Sequence, residues 1–245
     1  MKLKVNKKSL THYFLNPVSR ISDSCIITVN KTGVHTLTNT DDVGITLYAK
    51  LDIPIEIESE TKLNISSLKK LNHALGCIES DIIELDIDSN SINYTSDTLK
   101  FKFHLLEDGI LKKCFANSEK INAVADGANH AFCFTREKLL EILKGNAFAN
   151  ETDKIYFYTK DGKVYGELTD KKYQNVNSLT FEVTDKFVGD ALLSPLPINL
   201  EVLRVFSSLK LTKTKAKINT EKKVFIFEIE DTDFSLKYIV PTLAK

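Results

Sequence analysis

Residues 132–183 show the hydrophobic pattern of this chain most plainly. Residues 131–134 form a short apolar strand, Thr135 stands where a helix N-cap would, and Leu139, Leu140, Ile142 and Leu143 recur at helical spacing before Gly145 and Asn146. This predicts a helix of about three turns. Residues 154–160 then alternate apolar and polar positions, Asp161-Gly162 accepts the positive φ angles of a tight hairpin, and residues 163–168 return antiparallel. Leu179, Phe181 and Val183 alternate in a third strand. The predicted unit is strand, helix, hairpin, strand.

The same order recurs along the chain. Residues 2–5 alternate as a strand, and Asn6 can cap a helix with the apolar side Leu10, Tyr13 and Phe14, which should stop before Pro17. Strands follow at 25–29 and 34–37, joined by a turn at 30–33, and Val43, Ile45 and Leu47 alternate in a third. The next copy begins either with Ile53, Ile55 and Ile57 or with residues 62–65. It continues through a helix carrying Leu68, Leu71 and Leu75 that stops near Gly76, then strands at 82–87, 91–95 and 98–106 with a turn at Asp88-Ser89-Asn90. The last copy enters near Pro197, has a helix with Leu200, Leu203 and Phe206 but no clean cap, and closes with a hairpin around 219–222 and final strands at 224–229 and 234–240. Helix starts recur roughly every 60 residues, and because the order holds four times, repetition is favoured over a chance mixture of helices and hairpins. Residues 107–129 are polar and contain Gly109 and Gly127, as in a linker. The division expected is a domain at 1–108, a connecting linker at 109–128 and a domain at 129–245. Two units side by side would give each domain a sheet with a pair of helices on one face, a two-layer α+β fold.

Composition narrows the classes. A 42% hydrophobic and 27% charged chain of 245 residues is that of an ordinary globular protein. No run is long enough to cross a bilayer, and no signal-peptide core follows the lysine-rich start, so an intracellular protein without a membrane partner is expected. Cys25, Cys77, Cys114 and Cys133 are scattered, which argues against a zinc site and leaves no metal or other cofactor expected.

Net charge is zero, with 33 basic and 33 acidic residues, but the distribution is uneven. The polar side of the first helix holds Lys8 and His12, that of the second Lys69, Lys70 and His73, and neither helix contains an acid. Residues 1–20 carry five bases (Lys2, Lys4, Lys7, Lys8 and Arg20) and no acid, whereas acids gather at 79–88 and 228–233. Such a face suits a phosphate backbone, where lysines displace condensed counterions without reading sequence. The third and fourth helices weaken the pattern, because Lys138, Lys144 and Arg204 alternate there with Glu137, Glu141 and Glu201. Lysines on a single exposed helix often do no more than solvate it, so charge alone leaves the function open.

Two stretches carry a family resemblance. Ser235-Leu236-Lys237-Tyr238-Ile239-Val240-Pro241 resembles the last strand and tail of DNA sliding clamps of the proliferating cell nuclear antigen (PCNA) type, and residues 153–162 resemble the hairpin of that family's second domain. Length, the two-domain plan and the four units match as well, so the resemblance spans the chain. Its shortness and compact first helix are closer to T-even-like phage clamps, which implies the cytoplasm of a bacterial host. The resemblance implies the DNA-clamp fold assembled as a closed homotrimeric ring, with double-stranded DNA through the hole. An ATP-dependent clamp loader would place the ring, which would then hold a DNA polymerase on its template. On that plan the DNA-facing residues are Lys4, Lys8, His12, Lys69, Lys70, His73, Lys138, Lys144 and Arg204. Partner peptides would enter a pocket formed by Val43, Ile45, Val124, Tyr238, Val240 and Pro241. Subunits would join through Thr98, Lys100, Phe101, Lys102 and Phe103 on one edge and Ser178, Leu179, Thr180 and Phe181 on the other.

Catalysis has little support. His12, His35, His73, His104 and His130 lie on unrelated elements, no nucleophile elbow or phosphate loop is present, and alternation along a strand puts His130 and Cys133 on opposite faces. A scaffold that uses the same domains without DNA is the other alternative.

Overall fold

The computed structural model describes residues 1–243 apart from 115, 174, 208 and 210–212, and without the side chain of Phe206. The chain divides into two compact units, residues 1–118 with 230–236 and residues 119–229 with 237–245.

The first unit holds two repeats of the predicted order. The first runs β1 (Lys2–Asn6), helix α1 (Ser9–Leu15 continued by Asn16–Ser19), β2 (Cys25–Asn30), β3 (Gly33–Asn39) and β4 (Thr46–Asp52). The second runs β5 (Thr61–Ile65), α2 (Leu68–Gly76), β6 (Ile82–Ile87), β7 (Ser91–Thr95) and β8 (Lys100–His104). The entering strand, left open between two stretches in the sequence, is therefore the later one. A repeat does not build its own sheet, however. β1 pairs with β6, setting Lys4 opposite Glu84, while β5 pairs with β2, setting Ile27 opposite Leu63. The strand orders are β1-β6-β7-β8 and β4-β3-β2-β5. Each repeat thus lends its leading strand to the other's hairpin, and neither is a complete folding unit.

Helix α1 is a π-helical segment, Ser9–Leu15, that runs directly into an α-helical turn, Asn16–Ser19. Asn6 Oδ1 accepts from Ser9 N (3.0 Å), as its position before the helix predicts. The expected stop before Pro17 does not occur. Pro17 falls at the opening of the new α turn, where its missing N–H leaves no bond unmade. Ser67 Oγ accepts from Lys70 N at the start of α2, and the Asp23 carboxylate accepts from Lys69 N and from Ser67 Oγ, both at 2.8 Å. An anion is therefore fixed at the positive end of the helix.

The core of this unit is mainly aliphatic: Leu15, Leu47, Leu51, Ile65, Leu68 and Leu75 are almost wholly buried around Phe14. The third strand starts later than the alternation of Val43 and Ile45 suggests. Both lie in a turn in which Val43 N donates to Thr40 O (2.8 Å), Gly44 N donates to Asp42 Oδ1 (3.0 Å), and Val43 takes a φ of 57°.

The second unit repeats the exchange. Its elements are β9 (His130–Thr135), α4 (Arg136–Gly145), β10 (Lys154–Lys160), β11 (Lys163–Leu168) and β12 (Leu179–Thr184), then β13 (Phe187–Gly189), β14 (Leu196–Asn199), α5 (Glu201–Ser207), β15 (Lys213–Asn219), β16 (Val224–Glu230) and β17 (Phe234–Pro241). Here β14 pairs with β10, and β9 with β15, giving the orders β12-β11-β10-β14 and β13-β9-β15-β16. Thr135 caps α4 by accepting from Lys138 N (3.3 Å). Asn199 Oδ1 accepts from Glu201 N (2.8 Å) and supplies the cap of α5 that the sequence left unassigned. Phe206 was expected on this helix's apolar side; its side chain lies outside the described residues. The core is aromatic: Phe132, Phe157 and Phe225 follow one another at centroid distances of 5.7 and 5.6 Å, and Phe134 meets Phe227 edge-on.

The stretch read as a linker contains a helix, α3 (Ser118–Asp126). Its two buried residues, Ile121 and Ala125, are one turn apart. Asn219 Nδ2 donates to Val124 O (3.2 Å) and Lys237 Nζ to Asn122 Oδ1 (3.0 Å). So narrow an apolar stripe among polar residues carries too little periodicity to be seen in the sequence.

Candidate nucleic-acid interface

Helices α1 and α2 pack side by side, and Asn72 Nδ2 donates across to Asn16 Oδ1 (2.7 Å). Burial of Leu10, Phe14, Leu68, Leu71 and Leu75 turns Lys8, His12, Lys69, Lys70 and His73 outward, and all five are exposed. Lys8 Nζ lies 5.9 Å from the centre of the Tyr13 ring, and no ion pair reaches Lys8, Lys69 or Lys70 among the described residues. Between the helices runs a shallow groove of about 450 Å³ lined by Asn16, Ser19, Lys69, Asn72, His73, Gly76 and Cys77. Asn16, Ser19 and Asn72 are polar groups on this face that charge counting passes over, because they carry none.

Lys4 does not join this face. Leu3 and Val5 point into the core, so Lys2 and Lys4 occupy the opposite, solvent side of β1, where Lys2 pairs with Glu84 at 2.7 Å.

In the second unit α4 packs on α5, but its bases are largely compensated. Lys138 pairs with Glu141 at 2.6 Å and Arg204 with Glu201 at 2.9 Å; Lys144 is exposed.

Both strands expected at subunit contacts are sheet edges. β8 ends the order β1-β6-β7-β8, and β12 ends β12-β11-β10-β14. Lys100 and Lys102 are exposed on β8 while Phe101 and Phe103 are half-buried; on β12 Thr180 is exposed, Leu179 half-buried and Phe181 buried. Thr98 and Ser178 precede their strands and are exposed.

No family model matches the chain, and no curated protein matches it in sequence. Solved structures match over its whole length. One described as the C-terminal region of FEN-1 bound to A. fulgidus PCNA aligns with a TM-score of 0.76 at 12% identity, covering 100% of this chain and 98% of that one. PCNA from Entamoeba histolytica aligns at 0.76 and 12%, covering 99% and 98%, and PCNA from Thermococcus kodakaraensis at 0.75 and 11%, covering 99% of each chain. The chain has the fold of the PCNA-type sliding clamp.

Within this clamp fold, the residues expected to form a peptide pocket do not behave alike. Tyr238 is wholly buried, and Ile45 and Val240 nearly so, as core packing rather than as open lining. Val43 is 43% exposed in its turn, Pro241 is exposed at the end of β17, and Val124 is half-buried on α3. A groove of about 720 Å³ is present instead within the first unit. The sheet contributes Ile26, His35, Leu37 and Tyr48, and Ile110, Lys112 and Lys113 line its other side. Burial lowers the His35 pKa, and its ring stands 6.3 Å from that of Tyr48. Ile26, Leu37 and Tyr48 sit in the phase of their strands opposite to the buried one, where sequence reading expects solvent.

His130 and Cys133 lie on opposite faces of β9, the histidine buried and the cysteine half-buried. Among the described residues no three His, Cys, Asp or Glu side chains are grouped to hold a metal ion.

Proposed function

We propose that this protein is a DNA polymerase sliding clamp, a processivity factor that closes as a homotrimeric ring around duplex DNA. The observation that carries the reading is the α1–α2 face, which in a clamp fold presents Lys8, Lys69 and Lys70 with no acid on either helix. Point charges and hydrogen-bond donors of this kind hold phosphates without reading base edges, and rotation about a ring axis repeats them around the duplex. Loose, salt-sensitive contact of that sort allows sliding. The exposed edges of β8 and β12 supply the subunit contacts, and pairing them removes the hazard of two open edges. An ATP-dependent loader would open and place the ring. Polymerase and other partners would dock a peptide in the groove walled by Ile26, Leu37 and Tyr48. The fold supplies binding surfaces, and the reading assigns it no catalysis.

Molar mass in solution tests this reading. Light scattering over a concentration series should approach three times the 27.6 kDa of one chain. A monomer persisting at the highest concentrations would overturn it.

A further inference from the structure

The two open edges each have a fixed phase. In the β7–β8 hairpin, Ser96 N donates to Leu99 O (2.9 Å) and Leu105 N donates to Asn90 O (2.8 Å), so the odd-numbered residues of β8 turn their backbone groups towards β7. Lys100, Lys102 and His104 therefore hold their N–H and C=O groups out along the open edge. In the second unit, Asp161 and Gly162 take φ values of 51° and 74°, a two-residue turn that makes Lys160 and Lys163 a hydrogen-bonded pair. From there the parity carries across β11. Gly166 and Leu168 face β12, where they oppose Phe181 and Leu179, which leaves the backbone groups of Thr180 and Glu182 on the open edge.

Side chains follow the same alternation. Lys100, Lys102, His104, Thr180 and Glu182 are exposed on the outer phase, while Phe101, Phe103, Leu179 and Phe181 share the inner one. We propose that β8 of one copy pairs antiparallel with β12 of a second copy in the register that sets Lys100 opposite Glu182, Lys102 opposite Thr180, Phe101 opposite Phe181 and Phe103 opposite Leu179. The Lys100–Glu182 ion pair selects that register. The inference rests on the ring reading above and adds to it the register and the selecting charge.

Three alternatives are poorer. A slip of one residue sets one lysine against Phe181 and the other against Leu179 or Val183, and puts the hydrogen-bonding groups of the two strands out of phase. A slip of two residues one way sets Lys102 against Glu182 but carries Lys100 onto the irregularity at residues 183–184, where β12 departs from regular pairing. A slip of two the other way leaves Glu182 beyond the end of β8. Only the proposed register aligns all of residues 100–103 with the regular stretch 179–182. Glu182 already accepts from Lys163 of its own chain at 2.8 Å, so its carboxylate would lie between two lysines.

Charge exchange tests this on the full chain. Light scattering with dilution gives the dissociation constant of the assembly, and circular dichroism checks that each variant folds. Glu182→Lys and Lys100→Glu should each weaken assembly about tenfold or more, and the double variant should return to within about threefold of the unaltered protein. Unchanged assembly in both single variants would overturn the ion pair while leaving the ring intact, and so would a double variant as weak as the singles. Rescue of Glu182→Lys by Lys102→Glu rather than by Lys100→Glu would overturn the register. An unaltered protein that never assembles would overturn the ring reading itself.

Discussion

The helix pair of the first unit and that of the second are built on the same frame, each helix led by a strand and followed by a hairpin, yet they spend their surface charge differently. On α1 and α2 the exposed lysines have no acidic neighbour on either helix, whereas on α4 and α5 Lys138 and Arg204 are matched three residues away by Glu141 and Glu201. Paired charges at that spacing serve the helix that carries them. Uncompensated ones cost the folded state some self-repulsion and attract an external anion. On the proposed reading, the two units therefore share a scaffold without sharing the DNA-facing work equally. Their interiors differ too, aliphatic in one and aromatic in the other, so the frame does not depend on one way of filling it.

The charge comparison predicts its largest effect on processive synthesis. Lys8→Glu, Lys69→Glu and Lys70→Glu together should abolish stimulation of a polymerase on long templates, with circular dichroism unchanged. Lys138→Ala, Lys144→Ala and Arg204→Ala together should stay within about threefold of the unaltered protein, since two of these three bases already have partners. Equal losses from the two sets would break the comparison. Neutral replacement of the first set should also lower the slope of log affinity against log salt by nearly one for each lysine that meets a phosphate.

A second contrast lies at the ends of α2 and α4, both of which finish in glycine. A Cβ on Gly145 would collide with the Phe181 ring and meet Leu179 at 2.8 Å, whereas one on Gly76 would meet nothing within 4 Å among the described residues. Gly145→Ala should cost about 1–3 kcal/mol in denaturant unfolding. Gly76→Ala should be neutral or stabilising by up to about 1 kcal/mol.

A smaller effect concerns pH. His130 is buried against Phe187 and Phe132; its Nδ1 lies against the Asp190 carbonyl, and among the described residues its Nε2 has no hydrogen-bond partner. Burial lowers its pKa, with the Asp190 carbonyl and carboxylate opposing. The folded state then binds the proton less readily than the unfolded one. Its stability is complete above the unfolded value near 6.5 and declines as pH falls below it. His130→Phe should flatten that part of a stability–pH curve, and an unchanged acid slope would rule His130 out as its source.

Elements with strong local signals were legible in the sequence. Thr135, the Asp161-Gly162 turn and the alternation of residues 154–168 fix α4 and its hairpin, and the structure reproduces their bounds. The exchange of leading strands was not legible, because a strand's hydrophobic phase states which face is buried but not which neighbour it pairs with. The acid-free face of α1 and α2 could be read because helical periodicity separates polar from apolar sides. The groove beside Ile26, Leu37 and Tyr48 could not, since it depends on chain that crosses the outer side of a sheet. Tyr238 and Val240 show the converse: their β alternation was visible, and it marked the core rather than a binding site.

Encirclement can be tested by trapping. The protein is mixed with linear duplex tethered at one end, the free end is then blocked with a bulky protein cap, and the sample is washed at high salt. A ring predicts retention when the cap follows the protein, loss when the end is left open, and little capture when the cap comes first. Equal retention in all three arms, or loss in all three from a protein shown to be trimeric, would contradict a ring threaded on DNA.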